Sequence, residues 1–430
     1  MKNIKSRLII MNFLQFAVWG SYLTSMGGYL FAAGYGELIG WFYAMQGIVS
    51  MFMPAIMGII ADKLIPAQRL LGLCHGIAAL FIAGAGFCGQ NDMLWPMFTL
   101  YSLSVAFYMP TLALSNSVAY TVLEQGGYDT VKAFPPIRVF GTVGFIVAML
   151  VCDFAGFQSS PVQFFQCAII GVILAVYAQM LPNCPVNRSN EDKSFAQRLG
   201  LDAFKLFKNK QMAMFFIFSM LLGVSLQITN GFANSFITSF KNIPEFANTF
   251  GANHANALIS LSQVSETLCI LLIPFCLKRF GIKRVMLIAM FAWVLRFGLF
   301  GLGNPGSGLW MFILSMIVYG VAFDFFNISG SLFVNENTSG EMRSSAQGLF
   351  MIMTNGIGAT VGTLGAQAVV NRLVPATESV DGVVVNGLSV VEGWSTTWLA
   401  FAGYALVVAL LFMVLFRYKH DANKQMDINH

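Results

Sequence analysis

The sequence predicts an all-α integral membrane protein, because its composition is too apolar for a water-soluble fold. Of its 430 residues, 57% belong to the hydrophobic set and 10% are charged, against about 45 to 50% and about 25% in soluble domains. The mean hydropathy is +0.70. The apolar runs are long and continuous, whereas a transmembrane β-barrel needs short segments of alternating hydrophobicity. At roughly 20 residues per span, the chain has room for about a dozen helices.

Hydropathy predicts twelve spans in two sets of six. The first apolar run follows a basic N-terminal segment and is longer than a signal-peptide core, so we expect it to be retained. The first six spans are predicted at 8–32, 37–61, 70–90, 94–120, 136–157 and 162–182. The second six are predicted at 211–238, 254–277, 284–302, 308–334, 344–371 and 395–417. The polar stretch 183–210 is the predicted cytoplasmic linker between an N-terminal bundle (1–182) and a C-terminal bundle with a short tail (211–430).

The distribution of lysine and arginine predicts that both termini are cytoplasmic. Twenty of the 24 basic residues fall on the side of the termini and the linker, and two, Lys241 and Arg372, fall on the other side. Cytoplasmic loops carry such an excess of basic residues. The net charge of +5 therefore reflects topology, and it requires no nucleic-acid partner.

Sequence motifs for enzymes, metals and cofactors are missing or out of context. The seven cysteines and four histidines have no spacing that suggests a metal site or a disulfide framework. Gly301 to Gly306 spells GxGxxG, but no strand precedes it, so we interpret it as a tight turn. The chain has no Walker A loop, GxSxG or HExxH. We expect neither an enzyme nor a bound cofactor or metal.

Apart from Glu37 and Asp153 at the outer helix ends, four charged residues lie well inside predicted spans: Arg138, Glu266, Arg296 and Asp324. Each costs roughly 2.5 to 3.5 kcal/mol near the bilayer centre. Their formal charges cancel, which allows mutual pairing in the bundle interior. Intramembrane acids are functional by default. The alternative is a purely structural role in helix association, and for Arg296 this alternative is the preferred interpretation.

Narrow polar or aromatic stripes run along four of the predicted spans. In the fifth span, Arg138, Thr142 and Phe145 stand at i, i+4 and i+7, so they share one helix face. The others are Gln227 and Asn230 in the seventh span, Gln263 and Glu266 in the eighth, and Tyr319, Phe323, Asp324 and Asn327 in the tenth. Amides pair with hydroxyls or base edges, and rings offer flat faces. The stripes predict a neutral, hydroxylated and partly aromatic ligand.

Six plus six helices with a long cytoplasmic linker is the layout of the major facilitator superfamily. Two loops at matching positions agree with this assignment. Gly58 to Lys63 (GIIADK) resembles the superfamily's loop after the second span, without its later glycine and arginines. Lys278 to Arg284 (KRFGIKR), after the eighth span, keeps the glycine and the basic cluster.

Longer segments resemble the nucleoside:H+ symporter family of that superfamily, the bacterial nucleoside and xanthosine permeases. They are FLQFAVWGSYL (13–23), FMPAIMGIIADK (52–63), FYMPTLALSN (107–116), FPPIRVFGTVGF (134–145), FKNKQMAMFFIFSMLLGVSLQITN (207–230), SQVSETL (262–268), SMIVYGVAFDFFNISGS (315–331) and RSSAQGLFMIMTNGIG (343–358). Departures are Phe140, where members often have Trp, and a longer loop around 374–392.

The resemblance implies a monomeric twelve-helix carrier in the bacterial inner membrane that imports nucleosides with protons by alternating access. It places nucleoside binding at Arg138, Thr142, Phe145, Gln227, Asn230, Gln263, Glu266, Tyr319 and Phe323, and proton coupling at Asp324 and Glu266. A sugar or oligosaccharide:H+ symporter and a nucleoside sensor that does not transport are the alternatives.

Asp324 is the predicted main proton site, with Glu266 next. Burial favours the neutral form of a carboxylic acid, and a nearby arginine favours the ionised form, so either acid could be poised by the balance. Among the histidines, only His75 lies well inside an apolar run. Moving a neutral ligand and a neutralised acid together lowers the cost of passing an apolar barrier.

Overall fold

The computed structural model describes residues 3–186, 201–338 and 340–418. Half of the predicted linker (187–200) and most of the C-terminal tail (419–430) lie outside the described residues. The side chains of Asp62 and Lys63, which end the first superfamily-like loop, also lie outside the description.

The described chain is almost entirely helical. Its first part contains α1 (Ile4–Gly20), α2 (Met26–Ala32), a 3-10 turn (Gly36–Leu38), α3 (Ile39–Ser50), α4 (Met53–Lys63), α5 (Ala67–Gln90), α6 (Leu94–Gln125), α7 (Thr130–Phe154) and α8 (Val162–Gln179).

The second part begins with a 3-10 segment (Leu201–Lys208). It continues with α9 (Lys210–Leu226), α10 (Ile228–Ser239), α11 (Phe250–Asn253), α12 (Ala255–Ile270), α13 (Ile273–Leu302), α14 (Leu309–Asn337), α15 (Gly340–Met351), a π-helix (Ile352–Gly358), α16 (Ala359–Leu373) and α17 (Gly387–Leu415). The side chain of Asn209 caps α9, because its Oδ1 accepts hydrogen bonds from the backbone of Gln211 and Met212.

Nine helices in the described residues are long and apolar enough to cross a membrane, and a bent pair, Gly36–Ser50 with Met53–Ala61, adds a tenth span. The two other predicted spans are the first and the eighth. Their main helices, α1 and α12, have only 17 and 16 residues because each of these spans is interrupted. The helix pattern therefore agrees with twelve spans.

Several predicted spans are broken, where hydropathy indicated continuous helices. The first span is interrupted between Gly20 and Met26, and the second between Ser50 and Met53. The second break precedes Pro54 in the first turn of α4, where a proline lacks the N–H that a continuous helix needs. The seventh span breaks at Gln227, and the eleventh contains the π-helix. Hydropathy does not detect such breaks, because the chain stays apolar through them.

One loop lies where it was predicted, and another differs in detail from the prediction. The turn between the eighth and ninth spans is made at Gly281, inside Ile273–Leu302, whose φ of 75° favours glycine. After α16, Ser379–Val380 pairs antiparallel with Val383–Val384. The last helix then begins at Gly387, eight residues before the predicted start of the twelfth span at 395.

The described chain forms two compact units. The first is formed by Met1–Tyr29 and Met45–Leu199, and the second by Leu30–Ala44 and Gly200–His430. Leu30–Ala44 belongs to the second unit because it packs there. The Phe31 ring lies 5.8 Å from that of Trp394, and the Gly40 N–H donates to Gln367 Oε1 at 2.5 Å. The predicted division into two six-helix bundles at the linker 183–210 refers to the order of the spans along the sequence. It stays a prediction.

Within the second unit, α9 crosses the eleventh span at glycines. A Cβ added at Gly223 would overlap the carbonyl of Thr354 in the π-helix, and one at Gly362 would overlap the backbone of Val224. Small residues let membrane helices approach closely. This close crossing ends one turn before Gln227, so it fixes the helix that carries the first predicted amide.

Candidate substrate and proton site

In the first unit, two of the three residues of the α7 stripe contact aromatic rings of α1. The Arg138 guanidinium carbon lies 3.8 Å from the centroid of the Phe16 ring. The buried Phe145 ring meets Trp19 edge-on, with centroids 6.3 Å apart. Thr142, on the same face of α7, is half-buried. Phe16 and Trp19 were not among the predicted site residues, although their i, i+3 spacing in an apolar helix is a signal that could have found them.

His75 belongs to the internal packing of the first unit. It is 1% exposed, and its Nε2 lies 2.8 Å from Gln15 Oε1. The Gln15 amide in turn donates to Thr111 Oγ1 at 2.8 Å. This chain of hydrogen bonds joins α1, α5 and α6, so the residue has a structural role here.

In the second unit, Gln227 and Asn230 are hydrogen-bonded to each other at the break between α9 and α10. The Asn230 amide donates to Gln227 Oε1 at 2.8 Å. Both side chains are half-buried. One turn further along α10, Asn234 donates to Asn256 Oδ1 at 3.1 Å, which ties this helix to α12.

The helices that carry the two acids are fastened together next to those acids. Ser265, the neighbour of Glu266 in α12, donates a hydrogen bond to the carbonyl of Ile317 in α14. A Cβ at Gly320 would overlap the Ser265 backbone, so the two helices touch there. As a result, Glu266 and Asp324 lie close enough to interact electrostatically.

Tyr319 lies at the centre of this cluster. Its ring stacks on that of Phe323, with centroids 5.6 Å apart and planes 16° from parallel. Glu266, Arg296 and Asp324 all lie within electrostatic range of its hydroxyl group. The structure therefore brings together four predicted site residues, namely Glu266, Tyr319, Phe323 and Asp324. Gln263 is half-buried one turn before Glu266 on α12.

Asp324 differs from Glu266 in its surroundings. It is 5% exposed, and its Oδ2 has no hydrogen-bond partner among the described residues. Glu266 is half-buried. A buried carboxylate without partners is costly, whereas a protonated carboxyl carries no charge. The geometry is therefore that of a group that can hold a proton.

Arg296 lies deep in the second unit, at 2% exposed. Its Nη1 donates to the carbonyl of Ser315 at 2.6 Å, and its guanidinium carbon lies 4.6 Å from the centroid of the Tyr319 ring. Neither of these partners is a carboxylate, so the pairing that the balanced intramembrane charges allowed is not what holds this arginine. Charge counting could not have shown this, because the pairing depends on helix rotation.

No group of three metal-ligating side chains suited to a metal ion occurs in residues 3–186, 201–338 and 340–418. The chemistry available in the cluster is hydrogen bonding by amides, stacking by rings and proton exchange by two carboxyl groups. Groups of this kind are suited to binding an uncharged ring-containing molecule and a proton.

Comparison with known proteins shows the family of the chain. A family model described as "Nucleoside H+ symporter" matches residues 1–421. The chain is 47% identical over 421 residues to the nucleoside permease NupG of Escherichia coli (strain K12), covering 97% of both chains. It is 48% identical over 425 residues to the xanthosine permease of the same organism, covering 98% of both.

A crystal structure of the nucleoside transporter NupG superimposes with a TM-score of 0.87 at 46% identity, covering 97% of this chain and 100% of that chain. The expected major facilitator fold is thereby confirmed, as is the expectation of a transporter rather than an enzyme. With twelve spans, a clustered pair of carboxyl groups and these relatives, the chain belongs to the nucleoside:H+ symporter family.

Proposed function

We propose that this protein imports nucleosides across the bacterial inner membrane together with protons, by the alternating-access mechanism of secondary transporters. Its two sequence halves, 1–182 and 211–430, are the proposed six-helix bundles, joined by the linker 183–210. The observation that carries the proposal is the cluster in the second unit. There the carboxyl groups of Glu266 and Asp324 lie close to each other and to the stacked rings of Tyr319 and Phe323. Membership of the family and the names of its relatives, nucleoside permease and xanthosine permease, support it.

The proposed nucleoside contacts divide by chemistry. Phe145, Tyr319 and Phe323 supply ring faces for the base. The proposed polar contacts to ribose hydroxyls and base edges are made by Arg138, Thr142, Gln227, Asn230, Gln263 and Glu266. The hydrogen bond between Gln227 and Asn230 orients both amides before a ligand arrives, which lowers the entropic cost of binding.

The proposed coupling group is Asp324, with Glu266 as the second acid. Because the two interact electrostatically, a proton on one changes the cost of ionising the other. Asp324 is adjacent in sequence to Phe323, so its protonation state acts on the helix that holds the stacked pair. Protons are the coupling ion, and no bound cofactor is proposed.

The deciding experiment is uptake by purified protein in proteoliposomes, with and without an imposed pH gradient. Labelled uridine and adenosine should accumulate inside vesicles whose lumen is alkaline, and addition of a protonophore should abolish the accumulation. Empty liposomes and labelled lactose are the controls. Accumulation of lactose but no nucleoside would identify a sugar symporter instead. Nucleoside binding without any flux would identify a sensor.

The proposal includes cytoplasmic termini and a monomer. The basic residues support the first, because twenty of them fall on the side of the termini and the central linker. A carrier of this class contains its whole path within one chain of two repeats, so it needs no partner subunit to transport.

A further inference from the structure

Among the described residues, Arg296 is the most deeply buried charged residue, at 2% exposed, and the transport proposal leaves its role open. A positive charge inside a membrane protein is expensive. An apolar side chain of similar volume would join these helices at lower cost. A role that requires a cation would explain this cost, and the contacts of Arg296 show which groups it acts on.

The Arg296 guanidinium contacts residues on one face of α14. Its Nη1 donates to the carbonyl of Ser315 at 2.6 Å, while Ser315 Oγ donates back to the Arg296 carbonyl at 2.9 Å. Tyr319 follows Ser315 by four residues, so it lies on the same helix face. The guanidinium carbon is 4.6 Å from the Tyr319 centroid, within the range of a cation–π interaction.

The same face continues to the proposed substrate contacts. Phe323 follows Tyr319 by four residues, and their rings are stacked. Trp293, one turn before Arg296 on α13, meets Tyr319 edge-on with centroids 6.0 Å apart. Two side chains of α13 thus hold the ring on which Phe323 stacks. A desolvated cation–π contact is among the stronger of such interactions.

We propose that Arg296 is a positioning residue of the nucleoside site, which fixes Tyr319 and, through it, Phe323 in the geometry that stacks on the base. This inference rests on the proposed function, because it assumes that the two rings contact the nucleoside. Arg296 itself contacts Tyr319 and does not need to contact the ligand.

The test is a double-mutant cycle on uridine affinity, measured by calorimetry on purified protein in detergent. Arg296→Met should weaken binding by roughly ten- to thirtyfold, the size of a lost buried cation–π contact. Arg296→Lys should retain more affinity than Arg296→Met, because it keeps a cation. In the Tyr319→Ala background, Arg296→Met should have almost no further effect, since the ring through which it acts is gone. Arg279→Met is the matched control, because Arg279 lies over the exposed Phe280 ring, 5.9 Å from its centroid, outside the proposed site.

The outcomes separate this inference from the proposed function. If the wild-type protein binds no nucleoside, the proposed function fails. If Tyr319→Ala binds uridine as the wild type does, the proposed site fails. If Arg296→Met weakens binding equally with and without Tyr319, Arg296 does not act through that ring and this inference is overturned. Thermal unfolding of each variant shows whether it still folds. If Arg296→Met does not fold, the cycle is repeated with Arg296→Lys in its place. An equal loss of uridine affinity from Arg296→Lys with and without Tyr319 would then overturn this inference.

Discussion

At the scale of single residues, Gln227 and Asn230 form a hydrogen-bonded pair in which each side chain orients the other. Gln227 lies where the helix is interrupted, and it accepts a hydrogen bond from Asn230 one turn later. Interrupted membrane helices expose backbone and side-chain polar groups where the site of a carrier lies. The pair is therefore suited to present amide groups to a ligand without a large change of rotamer.

Truncation of these amides should weaken nucleoside binding. Gln227→Ala and Gln263→Ala should each cost about 1 to 3 kcal/mol, or roughly tenfold to a hundredfold in Kd, because a ligand hydroxyl or base edge is left without a partner. Isothermal calorimetry with uridine measures the effect.

Gln347→Ala is the matched control for the amide substitutions. The Gln347 amide donates to the carbonyl of Ser331 at 2.7 Å and to Asn335, away from the proposed contacts. Its replacement should lower the melting temperature and leave the Kd unchanged. Wild-type affinity in both Gln227→Ala and Gln263→Ala would remove these amides from the site.

Replacement of the buried acid should separate transport from coupling. Asp324→Asn keeps the size of the side chain but cannot ionise, so nucleoside should still equilibrate down its own gradient. At one proton per nucleoside, a pH gradient of about one unit drives roughly tenfold accumulation in the wild type, the equivalent of about 1.4 kcal/mol. In the variant this ratio should fall to about one.

The control for this substitution is another buried aspartate. Asp153, at the end of α7, accepts a hydrogen bond from Gln158 at 3.0 Å and has no proposed part in coupling. Asp153→Asn should still concentrate nucleoside. If Asp324→Asn does so as well, coupling belongs to another group, and Glu266→Gln is the next variant to measure.

At the scale of helices, the crossing of α9 with the eleventh span determines where the first amide lies. Gly223 and Gly362 leave no space for a methyl group at this crossing. The π-helix 352–358 lies in the same contact, and π-helical turns frequently occur at functional sites. A side chain added at Gly223 or Gly362 would therefore push α9 and the eleventh span apart.

Gly362→Ala should destabilise the protein by about 1 to 3 kcal/mol, the usual cost of overpacking a close contact. The matched control is Gly365→Ala on the same helix, where an added Cβ meets nothing within 4 Å. That substitution should be neutral or stabilising by about 0.5 to 1 kcal/mol, since alanine is the better helix former. Thermal unfolding in detergent compares them, and an equal melting temperature for the two variants would contradict a tight crossing.

At the scale of the whole molecule, the sequence predicts a fixed orientation in the membrane. Fusion of a green fluorescent protein to the C-terminus should give fluorescent cells, because the reporter folds in the cytoplasm. An alkaline phosphatase fusion at the same point should be inactive. As a comparison, phosphatase inserted at Asp381 should be active, because Asp381 lies in the loop that follows Arg372, one of the two basic residues predicted on the other side of the membrane. The reverse pattern would invert the predicted topology.

The sequence by itself determined the number of spans, their approximate bounds and the class of ligand. These properties are local, because a span follows from the apolarity of about 20 consecutive residues. The stripes are local too, since a spacing of three or four residues places side chains on one helix face. The resemblance across long segments then indicated the family, which the comparisons show.

Tertiary structure decided which polar groups meet. In the sequence, the formal charges of the intramembrane arginines and acids cancel, which allowed them to pair. In the structure, Arg296 instead lies against the Tyr319 ring and the Ser315 carbonyl. Phe16 contacts the Arg138 guanidinium only because α1 packs against α7. Such pairings depend on the rotation and separation of helices that are distant in sequence. Those quantities are set by close contacts such as Gly320 against Ser265, and hydropathy carries no information about them.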